Sequence, residues 1–146
     1  EQLIALLTAQ DVRVAVIKHD VHGFEMDKPG KDTWRHKKAG AVATLISSPE
    51  KIGLVRDAER DHTPEELLPL LPAVDLVIAE GYKGSPYPKI EIFRPEATGD
   101  PAPIRLGDPH LLAIVTDASP TTDLPIFGLS DTAGVAAFLR ATFLSD

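Results

Sequence analysis

The sequence predicts an α/β protein, a three-layer α/β/α sandwich built on a mainly parallel sheet. Three observations carry that expectation. Short apolar runs of strand length alternate with amphipathic, capped segments through most of the chain. The run at 75–79 is almost wholly apolar, as a strand covered on both faces must be. Polar side chains collect where such runs stop, at Lys18-His19-Asp20, Glu80-Gly81 and Thr116-Asp117. That is the carboxyl edge at which open parallel sheets hold ligands.

The elements follow in order. Leu3, Ile4, Leu6 and Leu7 share one face of an opening helix that starts without a cap. Val12, Val14, Val16 and Ile17 mark a strand running to Lys18. A second helix covers 32–39, with Asp32 as a candidate N-cap and Gly40 closing it. ATLIS at 43–47 and IGLVR at 52–56 are joined by four residues, too few for a parallel crossover, so they form a hairpin. Thr63 is placed to cap a helix reaching Leu71. A strand at 89–93 alternates Ile90 and Ile92 against Lys89, Glu91 and Phe93, and the pattern leaves open which face is buried. The Pro- and Gly-rich stretch at 95–110 reads as an irregular surface excursion. Strands at 111–115 and 126–129 precede a last helix capped by Ser130 and carrying Val135, Phe138 and Leu139.

The 146 residues fit one domain, 1–146, large enough for a sizeable core. A formal net charge of −7 argues against nonspecific binding to nucleic acid or anionic membrane. The apolar runs fall far short of the roughly 20 residues a membrane span needs. The absence of cysteine excludes disulfides, thiolate metal sites and cysteine nucleophiles, and makes the cytoplasm the default compartment.

Several constellations bear on chemistry. At the strand end, Lys18 suits a phosphate and Asp20 suits a metal-bound water, although a solvated strand end would look the same. Asp27-Lys28-Pro29-Gly30-Lys31-Asp32 makes a turn displaying two lysines and two carboxylates. Glu80 ends an apolar strand where a carboxylate can hold magnesium through water. Gly81 then allows close backbone approach, and Lys83 adds a cation. His19, His22 and Asp20 admit a transition-metal reading, while His36, His62 and His110 read as surface residues.

The runs IKHDVHGFEMDKPGKDTWRHKKAGA and DLVIAEGYKGSPYPKIEIFR resemble the molybdopterin-guanine dinucleotide biosynthesis adapter (MobB) family, GTP-binding members of the P-loop NTPases. The resemblance implies a P-loop NTPase-like fold with GTP and Mg2+ as cofactors. It also implies assistance in forming molybdopterin guanine dinucleotide, with weak GTP hydrolysis at most. By the same resemblance, the partners are a molybdenum cofactor guanylyltransferase, molybdopterin and a second copy of the chain. Asp20 and Glu80 would order magnesium, and DLVIAEG stands where the family has its Walker B strand. Lys18, Lys28, Lys31 and Lys83 would face phosphates, with Lys89 and Arg94 as further candidate cations. His19 or Asp20 would position a water for slow turnover, neither having an evident fixed partner in the sequence.

Thr116 and Asp117 stand where P-loop GTP-binding proteins contact guanine, whose N1 and N2 groups an aspartate can accept. The usual asparagine, lysine and aspartate run is absent, and a Thr-Asp pair after a strand equally makes a plain turn. The family's first strand and Walker A loop have no counterpart in the chain, which predicts a domain that is N-terminally incomplete. Two alternatives remain. One is a nucleotide-independent binding module for a pterin or the partner nucleotidyltransferase. The other is a divalent-metal phosphohydrolase using His19, Asp20 and His22.

Overall fold

The computed structural model describes residues 1–144. They divide into two compact units, one formed by Glu1–Ile17 with the chain from Leu71 onward, the other by Lys18–Leu70.

In the first unit, helix α1 (Gln2–Thr8) turns Leu3, Leu6 and Leu7 toward the core, and Leu7 is fully buried. The helix ends through Asp11, whose left-handed φ of 60° lets the Val12 N–H return to the Leu7 carbonyl at 3.1 Å. Strand β1 (Val14–Lys18) pairs with β4 (Leu76–Glu80). Just ahead of β1, the Arg13 carbonyl accepts the N–H groups of Asp75 and Leu76. Val12 and Ile17 are buried, whereas Val16 is 45% exposed.

Strands β5 (Lys89–Ile92), β6 (Leu111–Val115) and β7 (Ile126–Phe127) form a parallel sheet in the order β5-β6-β7. Both faces of the 89–93 run bury a residue, since Phe93 is 3% exposed and Ile90 packs on the main core, whereas Ile92 is 67% exposed. The 95–110 excursion contains one helical turn, α4 (Pro95–Thr98), started by a proline whose missing N–H costs nothing there and ended by left-handed Gly99. Helix α5 (Thr132–Phe143) is capped by Asp131, which accepts from the Gly134 N–H at 2.9 Å, so the expected Ser130 cap is corrected by one residue.

Leu7, Val12, Val115, Val135, Ala136 and Leu139 make the main core, with Leu76, Ile90 and Phe127 packed on it. Full burial of a side chain such as Leu7 or Ile114 contributes about 2 kcal/mol. Gln2 and Thr132 join the starts of α1 and α5 at 3.2 Å. A second cluster of Phe93, Leu111 and Ile114 is closed by Ala118 and Leu124 from the loop after β6. The architecture is therefore a mixed α/β fold with parallel strands.

In the second unit, the hairpin of β2 (Ala43–Ser47) and β3 (Ile52–Arg56) has the boundaries the sequence predicts, with Leu45 opposite Leu54. Helix α2 (Asp32–Lys38) packs on β2. Lys37 fastens the two, since its Nζ donates to the Ala41 carbonyl at 2.9 Å and meets Asp57 at 2.6 Å. Lys31 is the N-cap of α2, so Asp32 is corrected to the first helical residue, where its charge opposes the positive end of the helix dipole. The helix predicted from Thr63 to Leu71 is α3 (Pro64–Leu67) followed by a 3-10 turn at Leu68–Leu70. Pro69 supplies no N–H and ends α-helical bonding there.

Candidate functional site

The candidate residues fall into both units. Glu80, Gly81, Lys83, Thr116 and Asp117 belong to the first, and Lys18, His19, Asp20, Lys28 and Lys31 to the second.

In the first unit, β4 and β6 deliver their polar residues at their carboxyl ends. Glu80 is exposed as the last residue of β4. Gly81 takes a φ of 90° and Tyr82 a φ of 48°, so the chain reverses at once after the strand. A left-handed φ in an aromatic residue costs of the order of 1 kcal/mol or more, and such strain gathers at functional sites. Tyr82 then accepts the Ser85 N–H on its carbonyl at 3.0 Å, closing a turn that displays Lys83 to solvent.

At the end of β6, Thr116 is 2% exposed and its Oγ1 accepts the Ala118 N–H at 3.0 Å, while its own N–H donates to the Phe127 carbonyl at 2.7 Å. Asp117 is exposed, and its Oδ1 accepts the Leu129 N–H at 2.8 Å. Thr116 is thus an architectural residue of the turn, and Asp117 is the one that reaches solvent. Lys89 is committed elsewhere: its Nζ meets Asp108 at 2.8 Å and the Ser85 carbonyl at 2.8 Å, and holds the Asp108 carboxyl below its ordinary range. A surface cavity of about 390 Å3 is lined by Gln10, Asp11, Val12, Asp75, Arg140 and Leu144, none of them a candidate residue.

In the second unit, the turn expected at Lys28-Pro29-Gly30-Lys31 is formed, the Lys31 N–H donating to the Lys28 carbonyl at 3.2 Å with Gly30 at φ 83°. Proline followed by a left-handed glycine is the type II arrangement, and it presents Lys28 and Lys31 at its two ends. Thr33 Oγ1 donates to Asp27 Oδ1 at 2.9 Å and closes the loop onto α2. Asp20 Oδ1 accepts the His22 N–H at 2.9 Å, a local turn that occupies one oxygen of the proposed metal ligand.

His19 has a fixed partner that the sequence did not reveal. Its Nε2 lies 3.0 Å from each oxygen of Asp61. Asp61 stands among several charges in 57–63, and nothing in local spacing distinguishes it from its neighbours. Tyr82 was missed for a related reason, because sequence periodicity does not report a left-handed φ.

Among the described residues, no three His, Asp or Glu side chains converge on a point that could hold a metal ion, so His19, Asp20 and His22 form no such cluster. Magnesium asks for less, being held by one or two carboxylates, waters and substrate phosphates, and the exposed Glu80 at a strand end fits that role. Among the described residues, no helix is long and apolar enough to cross a membrane.

Comparison with known proteins assigns the chain. The family described as "Molybdopterin guanine dinucleotide synthesis protein B" (MobB) matches residues 1–117. The chain is 32% identical to the molybdopterin-guanine dinucleotide biosynthesis adapter protein of Haemophilus influenzae, over 96% of this chain and 78% of that protein. It is also 32% identical to the adapter protein of Escherichia coli, over 95% of this chain and 81% of that one. Among solved structures it is similar to Bacillus subtilis MobB, with a TM-score of 0.72 and 25% identity, covering 95% of this chain and 85% of that one. A MobB homologue from Bacillus stearothermophilus superposes with a TM-score of 0.67 at 20% identity, over 99% and 87% of the two chains, and bears on the fold alone. With strand-end acids, the Lys28–Lys31 turn and these matches agreeing, the chain belongs to the MobB family.

Proposed function

We propose that this protein is a GTP-binding adapter of molybdenum cofactor biosynthesis, working in the cytoplasm beside the guanylyltransferase that forms molybdopterin guanine dinucleotide. Family membership supports the pathway. The observation that carries the nucleotide reading is the pair of carboxyl strand ends in the first unit. There, β4 presents Glu80 and left-handed Gly81, and β6 presents Asp117 to solvent. In the first unit, Glu80 would hold Mg2+ through water, Lys83 would meet phosphate oxygens, Gly81 would allow close backbone approach, and Asp117 would accept from guanine. In the second, Asp20 is a further candidate for Mg2+, and Lys18, Lys28 and Lys31 for phosphate. Bound magnesium would neutralise phosphate charge. Hydrolysis would be weak at most, with His19 or Asp20 positioning the water.

The adapter role draws support from exposed apolar side chains on the hairpin, since Leu45 is 63% and Ile52 72% exposed. Contiguous exposed apolar surface marks contact with other macromolecules. We extend the proposal to a homodimer that docks the transferase and its molybdopterin. Sedimentation of the purified chain as a monomer at all concentrations would remove the dimer.

Calorimetric titration with Mg-GTP and, in parallel, Mg-ATP tests the nucleotide reading. Binding that prefers GTP and weakens without magnesium is the expected result. Equal affinity for the two would overturn guanine selectivity, and no heat with either would favour a nucleotide-independent docking module.

A further inference from the structure

His19 follows β1 directly, and its side chain is 21% exposed. Asp61, 42 residues later, is 74% exposed and sets both carboxylate oxygens 3.0 Å from the same ring nitrogen, Nε2. An exposed carboxylate is ordinarily mobile, and this one is carried by a braced segment. Arg60 forks onto Glu66 at 2.5 and 2.9 Å and also donates from Nη1 to the Asp61 carbonyl at 3.0 Å. Glu66 in turn accepts the Thr63 N–H at 3.0 Å, and Asp57, upstream, is held by Lys37 at 2.6 Å. The backbone around Asp61 is therefore ordered without help from His19.

Exposed ion pairs add little to stability, so the consequence of this contact is chemical. An ionised carboxylate only accepts hydrogen bonds, so the nitrogen facing it must carry the proton. A neutral His19 is then the Nε2–H tautomer, and its basic atom is Nδ1. A base turned and fixed by a carboxylate on its far nitrogen is the arrangement from which nucleophilic and hydrolytic sites are built.

We propose that Asp61 is a positioning residue for His19, locking its imidazole in one orientation and in the Nε2–H tautomer so that any ligand proton it accepts goes to Nδ1. The ligand class, a water or hydroxyl at a nucleotide phosphate, rests on the nucleotide reading above. The tautomer itself does not.

The test is long-range 1H–15N spectroscopy of the uniformly labelled chain at about pH 8, well above the ordinary histidine pKa of about 6.5. His19 is expected to show protonated Nε2 and unprotonated Nδ1. In D61A its two nitrogens should average toward the mixture seen for solvated imidazole, with the signals of exposed His36 unmoved. A wild-type His19 protonated on Nδ1, or a D61A spectrum identical to wild type, would overturn the proposal. Should D61A fold poorly, the wild-type spectrum can still overturn the proposal, because an Nδ1–H ring cannot donate to Asp61 from Nε2. No nucleotide is present in this experiment, so failure of Mg-GTP to bind would count against the nucleotide reading alone. In turnover of Mg-GTP, D61A should lower kcat about tenfold with KM little changed. A change in KM alone would overturn the positioning role.

Discussion

Asp117 Oδ1 accepts the backbone N–H of Leu129 at 2.8 Å and so ties the end of β6 to the chain leaving β7. The residue proposed to read guanine is thus also a structural tie through one of its two oxygens. Gly128 lies directly against it, since a Cβ there would stand 3.3 Å from the same oxygen.

The two roles can be separated by substitution. An asparagine side chain at this position keeps an oxygen for the Leu129 N–H but replaces the second with a donor. D117N should therefore fold as wild type while losing most of its preference for GTP over ATP. D117A should lose both the preference and about 1 kcal/mol of stability in urea. If D117N retains full GTP preference by calorimetry, Asp117 is only a tie.

Glu91 pins the Pro-rich excursion, its two oxygens accepting the N–H groups of Ile104 and Arg105 at 2.9 and 3.0 Å. Replacing it by alanine should release these amides, raising their hydrogen exchange by roughly tenfold while β6 amides stay protected. Unchanged exchange at Ile104 and Arg105 would show that Lys89 and Asp108 hold the segment by themselves.

Acid should loosen the first unit through Asp75. Side-chain bonds from the Arg13 guanidinium, with its backbone N–H at 2.8 Å, lower this carboxyl from 3.8 to about 2. A depressed carboxyl contributes stability above its unfolded value, and that stability is lost as pH falls through the folded one, here between about pH 4 and 2. D75N should flatten the fall in that window, and so should high salt, because the pair is solvent-exposed. Parallel acid-unfolding curves for wild type and D75N would refute this.

The N-terminus of α5 should tolerate little change. Asp131 caps Gly134, and a methyl at 134 would collide with the Asp131 carboxylate. D131A should cost about 1 kcal/mol by loss of the cap. G134A should destabilise as well, although alanine ordinarily favours a helix over glycine. Thermal melts of both variants check this, and a G134A chain more stable than wild type would contradict it.

The sequence alone determined what depends on neighbours a few residues apart. Apolar spacing of three and four located α1, and period-two runs with a four-residue connection located the hairpin. Proline followed by glycine located the Lys28–Lys31 turn, and a nearly unbroken apolar run located β4. The motifs at the ends of β1, β4 and β6 were likewise legible, and with them the family. Only the tertiary structure decided which polar groups meet. His19 with Asp61, Lys89 with Asp108 and Asp117 with Leu129 are 42, 19 and 12 residues apart. Their contacts depend on where the chain returns, and any of several nearby charges would have matched the local pattern equally well. Caps showed the same limit on a smaller scale, because Ser130 and Asp131 are both good capping types and backbone geometry at that turn chose the aspartate.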